Sequence, residues 1–396
     1  MVAARFFVVI VSFFVFVGCG LNSSKGYEPW FENALHQSEK QLLLAAETFA
    51  DSAMNPRTYE HGMVELVSHT DWTSGFFPGS LWYLYEMTGN EELKLAASRA
   101  TWFIEQAQHR TNTHDLGFIL QCSFGNAFRI TGDSSYLRVM EQGIHSLMTR
   151  YNPKIGLIRS WDFGNWQFPV IIDNMMNLEF VYEMGRINRD SSLMKAAVSH
   201  ADQTLANHFR IDNSSVHVVD YDSITGEVLL KQTHQGYNDE SSWARGQAWG
   251  LYGYTMMYRY TANPDYLKQA EKIAEFILNH PRLPEDKIPY WDFDAPTIPN
   301  EPRDASAAVV IASALIELSG FVSDKPAYFN TAEQILKVLS SKNYLAQPGE
   351  NGLFVLKHST GNWPKNSEID APLSYADYYY LEALKRYAAV KYTTAN

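Results

Sequence analysis

Apolar positions recur every three to four residues along most of this chain, and that period predicts about a dozen helices. They fall near 30–53, 74–88, 91–109, 117–131, 134–150, 169–187, 191–209, 242–261, 264–279, 304–321, 326–341 and 372–389. Two kinds alternate. One kind is apolar and aromatic around its whole circumference, as in 75–87, 248–260 and 305–318, and the other carries Lys and Glu on one face. A helix apolar all round belongs inside, and one with a polar stripe belongs outside. The alternation therefore predicts an inner and an outer ring, and six such pairs close an all-α (α/α)6 barrel.

A recurring turn supports helix–turn–helix repetition. It reads Thr88-Gly-Asn-Glu-Glu-Leu93, Thr131-Gly-Asp-Ser-Ser-Tyr-Leu137, Asn188-Arg-Asp-Ser-Ser-Leu193, Ala262-Asn-Pro-Asp-Tyr-Leu267 and Ser323-Asp-Lys-Pro-Ala-Tyr328. Each follows an aromatic-rich helix and offers Asn, Asp or Ser to cap the next one. The spacing is irregular, which favours a closed toroid with loop insertions over a regular solenoid. One interruption is strand-like: Ser215-Val-His-Val-Val-Asp-Tyr221 and Glu227-Val-Leu-Leu-Lys231 flank a Gly-containing turn, predicting a small β-hairpin insertion. The segment 281–303 holds six prolines and reads as a long loop. No linker interrupts 30–392, so one catalytic domain is expected there, preceded by a linker over 19–29.

The first residues change the picture. A single Arg5 precedes the apolar run Phe6–Val17, which is short for a membrane span, and Phe16-Val-Gly-Cys19 follows, then polar Asn22-Ser-Ser-Lys25. This reads as a signal peptide over 1–18, with a lipobox-like end that makes Cys19 the lipidated N-terminus. An ordinary secretory cleavage nearby is the competing reading. Export to the periplasm, or anchoring as an outer-membrane lipoprotein of a Gram-negative bacterium, is the expectation. Such a mature chain keeps one unmodified thiol, Cys122, in an apolar context, so no intrachain disulfide contributes and packing must supply stability.

Net charge is −12 with no Lys/Arg-rich run, which disfavours nucleic-acid binding. A monomer or dimer is expected, with contact to a membrane only through the anchor. No HExxH, CxxC, phosphate-binding or dinucleotide-binding glycine motif occurs, so neither cofactor nor metal is indicated. In a toroid the inner-helix N-termini line one open end. His69-Thr-Asp-Trp72, His114-Asp-Leu-Gly117, Asp173, Glu240-Ser-Ser-Trp-Ala-Arg-Gly-Gln-Ala-Trp249, Asp304 and Glu368-Ile-Asp370 stand at those points. Capping of orphan N–H groups accounts for most acids at such positions. Asp173 is a special case, because Phe168-Pro-Val-Ile-Ile-Asp-Asn-Met-Met-Asn-Leu178 otherwise reads as buried helix. It is either a cap or paired structural acid, or a carboxyl kept neutral by burial and fit for general acid work. Asp115, preceded by a His, is a candidate partner, since paired carboxylates are the equipment of glycosidic chemistry. Arg245 and Trp249 share a helical face, a planar fork beside a stacking plate; the alternative is a core Arg packed on Trp.

The motifs Asp71-Trp-Thr-Ser-Gly-Phe-Phe-Pro-Gly79, His114-Asp-Leu-Gly-Phe118, Ile171-Ile-Asp-Asn-Met-Met-Asn177, His217-Val-Val-Asp-Tyr-Asp222 and Thr233-His-Gln-Gly-Tyr237, running into Trp243–Trp249, resemble those of the unsaturated glucuronyl hydrolases, family 88 of the glycoside hydrolases. The resemblance implies an (α/α)6 barrel and removal of a 4,5-unsaturated uronic acid from the non-reducing end of lyase-generated oligosaccharides, glycosaminoglycan fragments above all. It implies hydration of the C4=C5 vinyl ether, with Asp173 as acid/base and Asp115 as the second essential aspartate. It further implies that His217, Gln235, Arg245, Trp249 and Ser241 bind substrate, while Trp72, His114, Trp161 and Trp243 wall the sugar. An unsaturated rhamnogalacturonyl hydrolase acting on pectin fragments and a non-catalytic carbohydrate-binding lipoprotein are the alternatives. Tolerance of sulfate is expected to depend on the loop His358–Ser367.

Overall fold

The computed structural model describes residues 26–392. The signal segment 1–18, Cys19 and the rest of the linker up to Lys25 lie outside the described residues. The described chain folds into twelve α-helices: α1 (Pro29–Thr48), α2 (Phe76–Thr88), α3 (Glu91–Trp102), α4 (Asn126–Thr131), α5 (Ser134–Met148), α6 (Asn174–Ile187), α7 (Ser191–Asn207), α8 (Ala244–Thr261), α9 (Pro264–Asn279), α10 (Ala305–Leu318), α11 (Lys325–Leu339) and α12 (Ser374–Lys391). Wide π-type turns over Gly117–Gly125 run directly into α4. Helix α2 packs on these turns, the turns on α6, α6 on α8, α8 on α10, α10 on α12, and α12 returns to α2. The inner ring therefore closes, and the fold is an (α/α)6 barrel.

Burial sorts the two rings as the hydrophobic pattern requires. In inner α10 every residue except Glu317 is buried. Outer α9 buries only Tyr266, Gln269, Ala270, Ile273, Ala274 and Ile277, a stripe at three- and four-residue spacing. The recurring turns do cap the outer helices. The side chains of Asn90, Asp133, Asp190 and Asn263 each accept from the backbone N–H two residues on. Asp324 does not, because its backbone (φ −87, ψ 47) departs from the extended geometry a cap needs.

Close approach inside the ring depends on missing side chains. A Cβ on Gly75 would lie 2.3 Å from the Ile119 carbonyl oxygen and 2.6 Å from that of Phe118. Both are backbone atoms of the π-type turns and cannot swing aside. Gly75→Ala is expected to cost about 3 kcal/mol, read as a lower denaturation midpoint at unchanged slope.

Among the described residues, nine short strands accompany the helices. β1 (Asn55–Glu60) and β2 (Met63–Val67) pair as a hairpin, as do β3 (Tyr151–Asn152) with β4 (Leu157–Ile158), and β8 (Ser359–Asn362) with β9 (Ser367–Ala371). β5 (Pro169–Ile171), β6 (Val218–Tyr221) and β7 (Val228–Gln232) form an antiparallel sheet in that order. The hairpin expected around 222–226 is its β6–β7 pair. Several expectations need correction. The span 169–187 is not one helix: Pro169-Val-Ile171 pairs with Val218–Asp220, and the helix starts at Asn174. Proline and β-branched residues fit an edge strand better than a first helical turn. The first helix ends at Thr48 and the third at Trp102, where a short 3₁₀ turn over Glu105–His109 follows. Glu368 and Asp370 do not open α12; they lie in β9.

Candidate active site

The β-hairpins and the N-terminal ends of the inner helices surround a cavity of about 310 Å³. Capping accounts for only one of the acids at the inner-helix starts. Among the inner helices only α10 is capped by a side chain, that of Asp304, which accepts from Ser306 N–H. Asp173 sits at the start of α6 but makes no capping bond. The strand holds it in place instead: Ile172 N–H, just before it, donates to the His217 carbonyl at 3.0 Å. Ile172 and Met175 around it are wholly buried.

Asp173 and Asp115 both line this cavity. Burial pushes the Asp173 carboxyl up to about 7; His114 and Arg245 pull the other way, and Asp115 adds a smaller upward push. Its Oδ2 is buried without a hydrogen-bond partner. Asp115 is half-buried, and its pKa falls below the ordinary carboxylate value. Burial opposes the charge there, but His114 Nε2 at 3.1 Å from Oδ1, the Thr113 hydroxyl donating to Oδ2 at 2.6 Å, and nearby Arg110 outweigh it. Two carboxyls facing one cavity are thus driven apart, one titrating at about 7 and the other already charged there.

His217 stands beside the neutral acid, its Nε2 3.7 Å from Asp173 Oδ2. Burial, with His234 and Arg245 nearby, holds its pKa well below the ordinary histidine value, so the ring is neutral. Nδ1 accepts from the backbone N–H of His234 at 3.0 Å and of Gln235 at 3.2 Å. The proton therefore sits on Nε2, which is directed toward the acid. His217 Nε2, His114 Nδ1, Trp161 Nε1 and Asn362 Oδ1 are, like Asp173 Oδ2, buried polar atoms without partners in the structure.

The sequence-predicted residues divide. Trp72, His114, Trp161, Gln235 and Arg245 line the cavity with the two acids. Four do not line it: His217, almost wholly buried, sits against Asp173 outside the lining, and three others turn elsewhere. The Trp249 indole is fully buried beneath the floor, packed on Phe118 and Tyr379. The Ser241 hydroxyl turns away and donates to buried Asp292 at 2.7 Å. Trp243 backs the site from below, 4.6 Å from the His217 ring and 4.7 Å from the Arg245 guanidinium. Arg245 also departs from expectation. Its Nη1 donates to Asp304 Oδ2 at 2.9 Å and to the Thr360 carbonyl, and its Nη2 donates to the Gly361 carbonyl at 2.6 Å. The fork is engaged by the protein, tying α8 to α10 and to β8, and the stacking partner is Trp243 and not Trp249.

Other wall residues escaped the sequence reading. Arg57 of β1 lines the cavity, held by Asp71 at 2.9 Å and Glu368 at 2.7 Å. Tyr375 enters from the first turn of α12, and an aromatic at an inner-helix start was a usable signal. Phe163 had one too, in the aromatic run Trp161-Asp-Phe-Gly-Asn-Trp166. Arg57 had none.

A sequence model described as Glycosyl Hydrolase Family 88 matches residues 45–392. The chain belongs to that family. Among family relatives, the unsaturated glucuronyl hydrolase of Formosa agariphila is 50% identical over 327 residues, 82% of each chain. The unsaturated chondroitin disaccharide hydrolase of Streptococcus agalactiae is 32% identical, covering 90% of this chain and 91% of that one. A crystal structure of an unsaturated glucuronyl hydrolase specific for heparin superposes with a TM-score of 0.90 at 55% identity, covering 91% of this chain and 98% of that one. An aspartate-to-asparagine variant of the Streptococcus agalactiae enzyme, complexed with dGlcA-GalNAc6S, superposes at 0.77 with 30% identity over 90% and 91% of the two chains.

If the neutral carboxyl supplies the proton, the pH dependence follows with a definite sign. The protonated fraction of Asp173 drops as pH rises through about 7. The value of kcat/KM is expected to fall about tenfold per pH unit above that point. The acid limb should lie below the ordinary carboxylate range, where Asp115 takes up a proton. A pH–rate profile of the free enzyme checks both limbs.

Proposed function

We propose that this family 88 enzyme hydrates the C4=C5 bond of an unsaturated uronate at the non-reducing end of a heparin-type disaccharide. The observation that carries the proposal is that two carboxyls, Asp173 with its pKa raised by burial and Asp115 with its pKa lowered by His114 and Thr113, line one small cavity. Asp173 delivers its proton to C4, and positive charge develops at C5 and the ring oxygen. Ionised Asp115 stabilises that charge. Water adds at C5 and returns a proton to the Asp173 carboxylate. The hemiketal then opens, and the second sugar leaves with the glycosidic oxygen. Neutral His217 stays an Nε2–H donor beside the acid throughout. The preference for heparin-type fragments draws on the heparin-specific enzyme at 55% identity.

The test is incubation with unsaturated disaccharides from heparin, chondroitin, hyaluronan and pectin, following loss of the double-bond ultraviolet absorbance. Fastest decay on the heparin product is expected. Decay on the pectin product alone would support the rhamnogalacturonyl reading, and calorimetric binding without decay would support a non-catalytic binder. The proposal extends to location: residues 1–18 are removed and Cys19 is lipidated, which the mass of the N-terminal peptide from membrane fractions tests.

A further inference from the structure

Trp161 is expected to face sugar, yet it is only 9% exposed. Phe163 covers it. The two rings stack nearly parallel, 4.7 Å apart at 19°. Phe163 itself is 52% exposed and lines the mouth of the cavity. A large apolar ring half in water is costly unless something covers it in use. The contacts run outward from the acid: Asp173 to His217, His217 edge-on to Trp161, Trp161 to Phe163. Phe163 thus stands on the same cavity at the far, solvent-exposed end of this series of contacts from the acid.

The loop that presents Phe163 is built to hold it there. Asp162, the residue before it, takes a bidentate pair from Arg150, both contacts 2.9 Å. Gly164 follows at φ +80, where a Cβ would lie 2.4 Å from the Trp166 ring, so only glycine permits this turn. Trp166 Nε1 donates to Gln232 Oε1 at 2.9 Å, and Asp220 receives the N–H groups of Gln167 and Phe168 at 3.0 and 2.7 Å. The His234 ring lies 5.6 Å from Phe163 on the inner side. Fixed loops carrying a rigid exposed aromatic reduce the ordering cost of binding.

We infer that Phe163 is the stacking platform for the second sugar, the ring that leaves, and that it sets selectivity for that ring. This rests on the hydrolase reading above. A glucosamine ring with equatorial substituents offers a flat C–H face that suits a phenyl plate. The uronate ring, held deeper, does not touch it. Phe163 therefore contributes to KM for disaccharides and not to the proton transfer.

The experiment compares two substrates, the unsaturated heparin-type disaccharide and the methyl glycoside of the same unsaturated uronate, which has no second ring. For Phe163→Ala, KM for the disaccharide should rise about tenfold with kcat unchanged, while the methyl glycoside parameters stay within about twofold. Phe163→Trp should restore the disaccharide KM. Equal losses on both substrates, or no loss on either, overturn the inference. A wild-type protein inactive on both overturns the hydrolase reading, and the platform with it.

Discussion

Asp173→Asn is expected to fold normally and to lose at least about a thousandfold in kcat, because the amide occupies the same space and has no proton to give. The same variant should be more stable than wild type above neutral pH. The folded carboxyl holds its proton up to about 7, whereas the unfolded one releases it near 3.8. Between those values the folded state binds more protons, so wild-type stability falls as pH rises, and the full cost applies above about 7. Asparagine does not ionise and avoids that cost, a difference on the order of 4 kcal/mol that should vanish below about pH 4. Denaturation curves at acidic and alkaline pH read it directly. Gain of stability with loss of turnover is the signature of a group kept in an unfavourable place for its chemistry.

Arg245→Ala is expected to cost about 3–5 kcal/mol of stability, because it leaves Asp304 charged, buried and without its partner. Both side chains are essentially inaccessible, and their 2.9 Å contact joins two inner helices. The guanidinium also holds the Thr360 and Gly361 carbonyls, and Gln235 Nε2 donates to Gly361 as well, at 3.2 Å. Losing the tie frees the β8–β9 hairpin, whose Asn362, Lys365 and Glu368 line the cavity, so KM should rise with the fall in stability. Adding Asp304→Ala to Arg245→Ala should recover part of the loss. No recovery would place the cost in the backbone contacts and not in the stranded carboxylate.

The parts of this fold that were legible in the sequence are those set by local periodicity. The helical stripes of α9 and the all-apolar run of α10 state their ring directly, and four of the five recurring turns cap as their residues suggest. The strands were harder to read. β1, Asn55-Pro-Arg-Thr-Tyr-Glu60, and β8, Ser-Thr-Gly-Asn, carry no apolar alternation, because tertiary contacts with the barrel mouth hold them there. Arg57 was hidden for the same reason: it meets Glu368 only when residues 311 apart in sequence pair, at 2.7 Å. The two acids were visible because an ionisable group in an apolar run, or beside a His, is conspicuous. The direction of the Arg245 fork was not, since sequence spacing places a side chain on a helix face but cannot name its acceptors.

The central claim is that burial lets Asp173 keep its proton up to about pH 7. Carbon-13 NMR of aspartate-labelled protein, with the Asp173→Asn spectrum subtracted, follows that one carboxyl through its titration. A midpoint near 7 is the result expected here. A midpoint near the ordinary value of 3.8 would leave no proton donor in the cavity at neutral pH and would contradict the account.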